Sequence, residues 1–100
     1  MSILDKPWHI YVGDSWIGTL MPTGSDDTWY YADFSEGDAW GNFAPWFKQA
    51  YEAFRAEDDA TWQNIYSQLR LMGLALRSDD GESHANVTVH IDGSSAWFVV

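Results

Sequence analysis

Three histidines, His9, His84 and His90, are the only imidazoles in the chain and the residues best suited to moving protons near neutral pH or ligating a metal. His9 and His90 fall on the polar registers of two predicted strands, so they become neighbours if those strands pair. Asp80, Glu82 or Asp92 beside such a pair would complete an acid–base or metal site. The spacing fits no zinc motif, and the alternative is three unrelated surface histidines. Carboxylates cluster at Asp26-Asp27, at Glu57-Asp58-Asp59 and at Asp79-Asp80-Gly81-Glu82. None follows the calcium-loop pattern of alternating oxygen ligands before a glycine and a closing glutamate. Helix caps and solvated turns account for them.

Gly13-Asp14-Ser15 follows a predicted strand and resembles the nucleophile-bearing Gly-Asp-Ser turn of the GDSL esterases. The resemblance covers three residues and their strand context, and it implies Ser15 as nucleophile. The family also requires a later Asp-x-x-His pair. Here Asp80 precedes His84 at the wrong spacing, and a three-residue match in a hairpin turn is expected by chance. Asn86-Val87-Thr88 fits the glycosylation sequon, but the N-terminus carries no secretory pattern. Phosphate-binding glycine loops and dinucleotide fingerprints are missing. The expectation is a protein that is not an enzyme, with no cofactor and no metal.

Charge narrows the partners. Among 100 residues, 15 acidic side chains face 5 basic ones, for a formal net charge of −10. Such a surface repels phosphate backbones and anionic bilayers, so neither nucleic acid nor membrane is an expected partner. It attracts cationic surfaces and steers their approach at low salt, although acidity also serves plain solubility. With no cysteine there is no disulfide scaffold and no thiolate site. No apolar run is long enough to span a bilayer, and a cytoplasmic protein is expected.

These residues need a frame, and the clearest part of it is helical. Phe43, Trp46, Phe47, Ala50 and Phe54 share one stripe of a helix over residues 43–56, with Asn42 as expected cap and Pro45 in the first turn. Lys48, Glu52 and Arg55 mark its far face. A second helix over residues 58–76 aligns Trp62, Ile65, Tyr66, Leu69, Met72, Gly73 and Leu76. Gly73 within a helix is costly, which points to a close approach by another backbone. Leu71 and Leu74 project from this helix's other side, a second apolar face for the sheet or for a partner to cover.

Alternation over Trp8–Val12 and a following run at residues 16–21 predict a hairpin about Gly13-Asp14-Ser15. Residues 28–34 read as a third strand, with Tyr30, Ala32 and Phe34 on one face. Near the C-terminus, Val87, Val89 and Ile91 alternate with Asn86, Thr88 and His90, and Asp92-Gly93 turns the chain into a final apolar strand. Strands and helices that segregate in this way predict a single α+β domain in the order β-β-β-α-α-β-β. Its expected form is an antiparallel sheet of about five strands with the helical pair packed on one face. The last hairpin beside the first is one arrangement, and the pattern leaves the strand order open.

The functional expectation is a small acidic protein-binding module acting on a protein with a basic surface. Immunity proteins, antitoxins and phage-encoded inhibitors share this size and charge balance. The expected contact region is the elbow Glu57, Asp58 and Asp59, the loop carrying Asp79, Asp80 and Glu82, the apolar pair Leu71 and Leu74, and Trp40 as anchor. Two alternatives stand beside it. One is a pocket for a sugar or flat ligand, with His9, Tyr11, Tyr30 and Trp40 on a shared sheet face. The other is a homodimer formed through the second helix or the last strand.

Overall fold

The computed structural model describes residues 3–100. After a 3-10 turn at Ile3–Asp5 come β1 (Trp8–Val12), β2 (Ser15–Ser25) and β3 (Tyr30–Glu36). Two helices follow, α1 (Trp40–Arg55) and α2 (Asp59–Leu71), and then β4 (Leu74–Arg77), β5 (Ser83–His84), β6 (Thr88–Asp92) and β7 (Ser95–Val99). The architecture is the expected α+β one, with seven strands among the described residues instead of about five. The surplus comes from β4 and β5, short strands that periodicity hides inside a longer helical pattern and a polar loop.

All strand pairs are antiparallel, in the order β5-β4-β1-β2-β3-β7-β6. Both tight hairpins turn on a glycine at the first loop position, Gly13 and Gly93, each at φ +61. This is the sign that a two-residue turn of the II′ kind demands there. The sequence turn at Asp92-Gly93 is therefore displaced by one residue, since Asp92 still pairs with Ser95. The last hairpin does not close against the first. β7 pairs with β3, which lies between the two hairpins.

One sheet face carries the core: Trp8, Ile10, Ile17, Leu20, Phe34, Leu76, Val89 and Phe98 are all buried. Against it lie Phe47 and Ala50 of α1 and Ile65, Tyr66 and Leu69 of α2, the inward stripes predicted from helical spacing. The second helix also covers a sheet edge. The Tyr66 hydroxyl donates to the Val89 carbonyl, and Arg70 donates to the Val87 carbonyl at 3.3 Å and to the Thr88 hydroxyl at 2.8 Å. Side chains of α2 thus hydrogen-bond to the backbone at Val87 and Val89 along this edge.

Several boundaries depart from expectation. α1 begins at Trp40, with Ala39 rather than Asn42 at the cap position and no side-chain cap bond. The Trp40 ring packs 4.8 Å from Phe34 and 5.7 Å from Phe47, so core contact draws the first turn into the helix. Pro45 then lies in the second turn, on the exposed side. α2 stops at Leu71 because Gly73 adopts φ +100, which reverses the chain into β4. Leu74 is consequently a buried strand residue, 2% exposed, and not part of a second helix face.

Candidate functional site

Asp58 caps α2, accepting from the Thr61 amide at 3.3 Å and from its hydroxyl at 2.6 Å. Asp59 accepts from the Trp62 indole at 3.0 Å. Glu57 occupies the left-handed region at φ +60, where the Asp58 amide closes back to Ala53 at 2.9 Å. This is a Schellman-type ending with glutamate where glycine is usual. The elbow is exposed, and its sequence is accounted for by turning one helix into the next.

The loop holding Asp79, Asp80 and Glu82 is bound to its own chain. Lys6 Nζ lies 2.9 Å from Asp80 Oδ2 and 2.7 Å from Glu82 Oε1, while Ser78 donates to the Asp80 carboxylate. The Ser78 and Lys6 hydrogen bonds hold the Asp80 carboxyl down at about 2. Glu82 is lowered by Lys6 and then His84, whose Nε2 lies 2.7 Å away, and Lys6 is raised by Glu82 and then Asp80. His9 pairs with Asp79 at 2.8 Å and with Thr19 at 2.9 Å. This end of the sheet is a clamp on the N-terminal segment.

His9 and His90 are not neighbours, because β2, β3 and β7 separate their strands. Nor does His90 face water. It is fully buried and stacked on Phe54 at 4.1 Å, with Trp29, Trp62, Tyr66 and Trp97 rings within 5.8 Å. Thr88 is buried too. Both faces of β6 are covered, which alternation in the sequence cannot reveal because Thr and His read as polar. Burial lowers the His90 imidazole to about 4, and its Nε2 has no hydrogen-bond partner among the described residues. The histidine is a neutral member of an aromatic cluster.

Among the described residues no group of three or more His, Cys, Asp or Glu side chains is placed to hold a metal. Ser15 is the first residue of β2, paired with Val12. His9, on the neighbouring strand, directs its ring nitrogens to Thr19 and Asp79 and not to Ser15. The shared aromatic face also fails. Tyr30 turns inward and stacks on Phe98 at 5.4 Å, and Trp40 belongs to α1, leaving only His9 and Tyr11 on the outer register of β1.

Leu71, at 88% exposure, and Met72, at 41%, form an outward apolar step at the end of α2. Of the expected contact residues, Trp40 lines a sizeable cavity, a groove of 990 Å³ between α1 and the β6–β7 turn. Phe34, Trp40 and Ile91 form its apolar wall. Glu36, Glu52 and Asp92 bring carboxylates to it, and Lys48 is its one cationic side chain. The Tyr51 hydroxyl donates to Asp92 at 3.3 Å and orients that carboxylate. Sequence inspection misses the groove because its walls come from residues 34–52 and 91–94, which no local pattern links.

No family model matches the chain, and neither the curated proteins nor the solved structures provide a match. Among the described residues no helix is long and apolar enough to cross a membrane.

Proposed function

We propose that this chain is a small acidic protein-binding module that engages, and thereby blocks or escorts, a protein with a basic surface. The observation that carries the reading is where its few cations go. Lys6 is held by Asp80 and Glu82, and Arg70 is spent on β6. Arg77 lies over Tyr11 at 4.5 Å and Arg55 over Tyr51 at 5.8 Å, and the fifth cation, Lys48, lines the groove beside Glu52 and Asp92. With the formal charge at −10, the outward field is negative, and it favours encounter with cationic partners. A cytoplasmic setting belongs to the same proposal.

The test is affinity capture from the native source across a salt series. Basic proteins retained at low ionic strength and released above about 0.15 M, where screening acts within roughly 8 Å, are the expected result. Retention of only neutral or acidic proteins, indifferent to salt, overturns the reading. A second reading, self-association, draws on the exposed Leu71–Met72 step. Sedimentation of the wild type and of Leu71→Asp decides it: a dimer that dissociates in the variant supports the reading, and a wild-type monomer at high concentration removes it.

A further inference from the structure

We infer that the groove between α1 and the β6–β7 turn is the seat of an arginine side chain presented by the basic partner. This rests on the reading above and gives it a location. At 990 Å³ the groove has room for a loop that carries the side chain. Its wall is firm, since the Trp40 ring is already packed against Phe34 and Phe47, so little ordering is left for binding to impose. Three carboxylates, Glu36, Glu52 and Asp92, face one ammonium, Lys48.

The combination selects guanidinium over other groups. Arginine is planar and weakly hydrated, stacks on aromatic faces and bonds carboxylates two at a time. A lysine ammonium holds its water more tightly and uses the aromatic wall less well. The chain itself sets Arg77 on Tyr11 and Arg55 on Tyr51. Lys48 precedes Glu52 by four residues on α1 and lines the same groove, so its charge opposes an incoming cation.

The probe is the peptide acetyl-Gly-Arg-Gly-Arg-Gly-amide, titrated at low salt into ¹⁵N-labelled full chain, beside lysine and citrulline versions and maltotriose. Shifts are expected to concentrate at the Trp40 indole, Gly41, Glu52 and Gly93, in the order arginine above lysine, with citrulline inert. Glu52→Gln or Asp92→Asn is expected to weaken binding about fivefold and Lys48→Gln to strengthen it. Asp79→Asn, outside the groove on the His9 side, leaves it unchanged. Arginine-peptide shifts spread over the whole acidic surface, with affinity unmoved by Glu52→Gln, overturn the groove but leave the basic-partner reading standing. No binding by any cationic peptide overturns both. Maltotriose shifting the groove residues, with the peptide silent, makes it a sugar site and ends the arginine assignment.

Discussion

The Gly13 amide donates to the Gly73 carbonyl at 3.1 Å, joining the turn of the first hairpin to the exit of α2. Gly73 stands at φ +100, and a β-carbon added there would lie 2.9 Å from the Gly13 nitrogen. Strain and backbone collision therefore act together. Gly73→Ala is expected to lower stability by about 2–3 kcal/mol in urea unfolding. Gly81→Ala is its control: it has φ +93 but open space around the new atom, and should lose only about half as much. Equal losses at the two sites would show that the contact with Gly13 contributes nothing.

Leu71 and Leu74 lie three residues apart and differ completely in environment, at 88% and 2% exposure. Leu74→Ala should cost about 3 kcal/mol, through lost burial and the cavity left behind. Leu71→Ala should change stability by less than about 0.5 kcal/mol. Comparable losses would contradict the end of α2 at Leu71.

His90 makes stability depend on pH in a window of its own. Its folded-state value of about 4 lies below the ordinary 6.5, so the unfolded chain binds the proton first. The stability attached to the neutral ring is therefore complete above about 6.5 and is lost as pH falls towards 4. The loss is on the order of 3 kcal/mol. Asp26, Asp80 and Glu82 are lowered from their ordinary values, so they withdraw stability only in more acid solution, below about 4.5. Urea unfolding between pH 7 and 4.5 should show a decline that His90→Phe flattens, whatever that variant's absolute stability. An unchanged slope in the variant would locate the titration elsewhere.

Glu57 holds a left-handed conformation at the end of α1 without the freedom of glycine. Glu57→Gly should stabilise the chain by about 1 kcal/mol, seen as a raised Tm. If the substitution destabilises instead, the glutamate side chain has a role beyond the turn.

Helical spacing was enough to find the inward residues of both helices, from Phe47 and Ala50 to Ile65 and Leu69, because a stripe that is apolar every three or four residues has one way to be buried. Alternation did the same for Trp8, Ile10 and Val12, and for Val87, Val89 and Ile91. It failed where polar-looking residues are buried, at Thr88 and His90, since Arg70 of α2 reaches the first and aromatic rings from distant segments cover the second. Helical spacing failed in turn past Leu71, where Leu76 of the four-residue strand β4 continues the helix's apolar rhythm and Leu74 looks like a second helix face.

The acidic excess, the scarcity of cations and the two helical faces belong to composition and short-range spacing, and residue order alone determined them. Which carboxylates are neutralised at home and which line a groove depends on contacts such as Lys6 with Asp80 and Tyr51 with Asp92, 74 and 41 residues apart. The sheet order decided both, by placing β4 beside β1 for the first and β7 beside β3 for the second, which brings the Asp92 turn up to α1. Chain-closing contacts of that span carry no local periodicity, so only the tertiary structure could bring Trp40, Glu52 and Asp92 to one cavity.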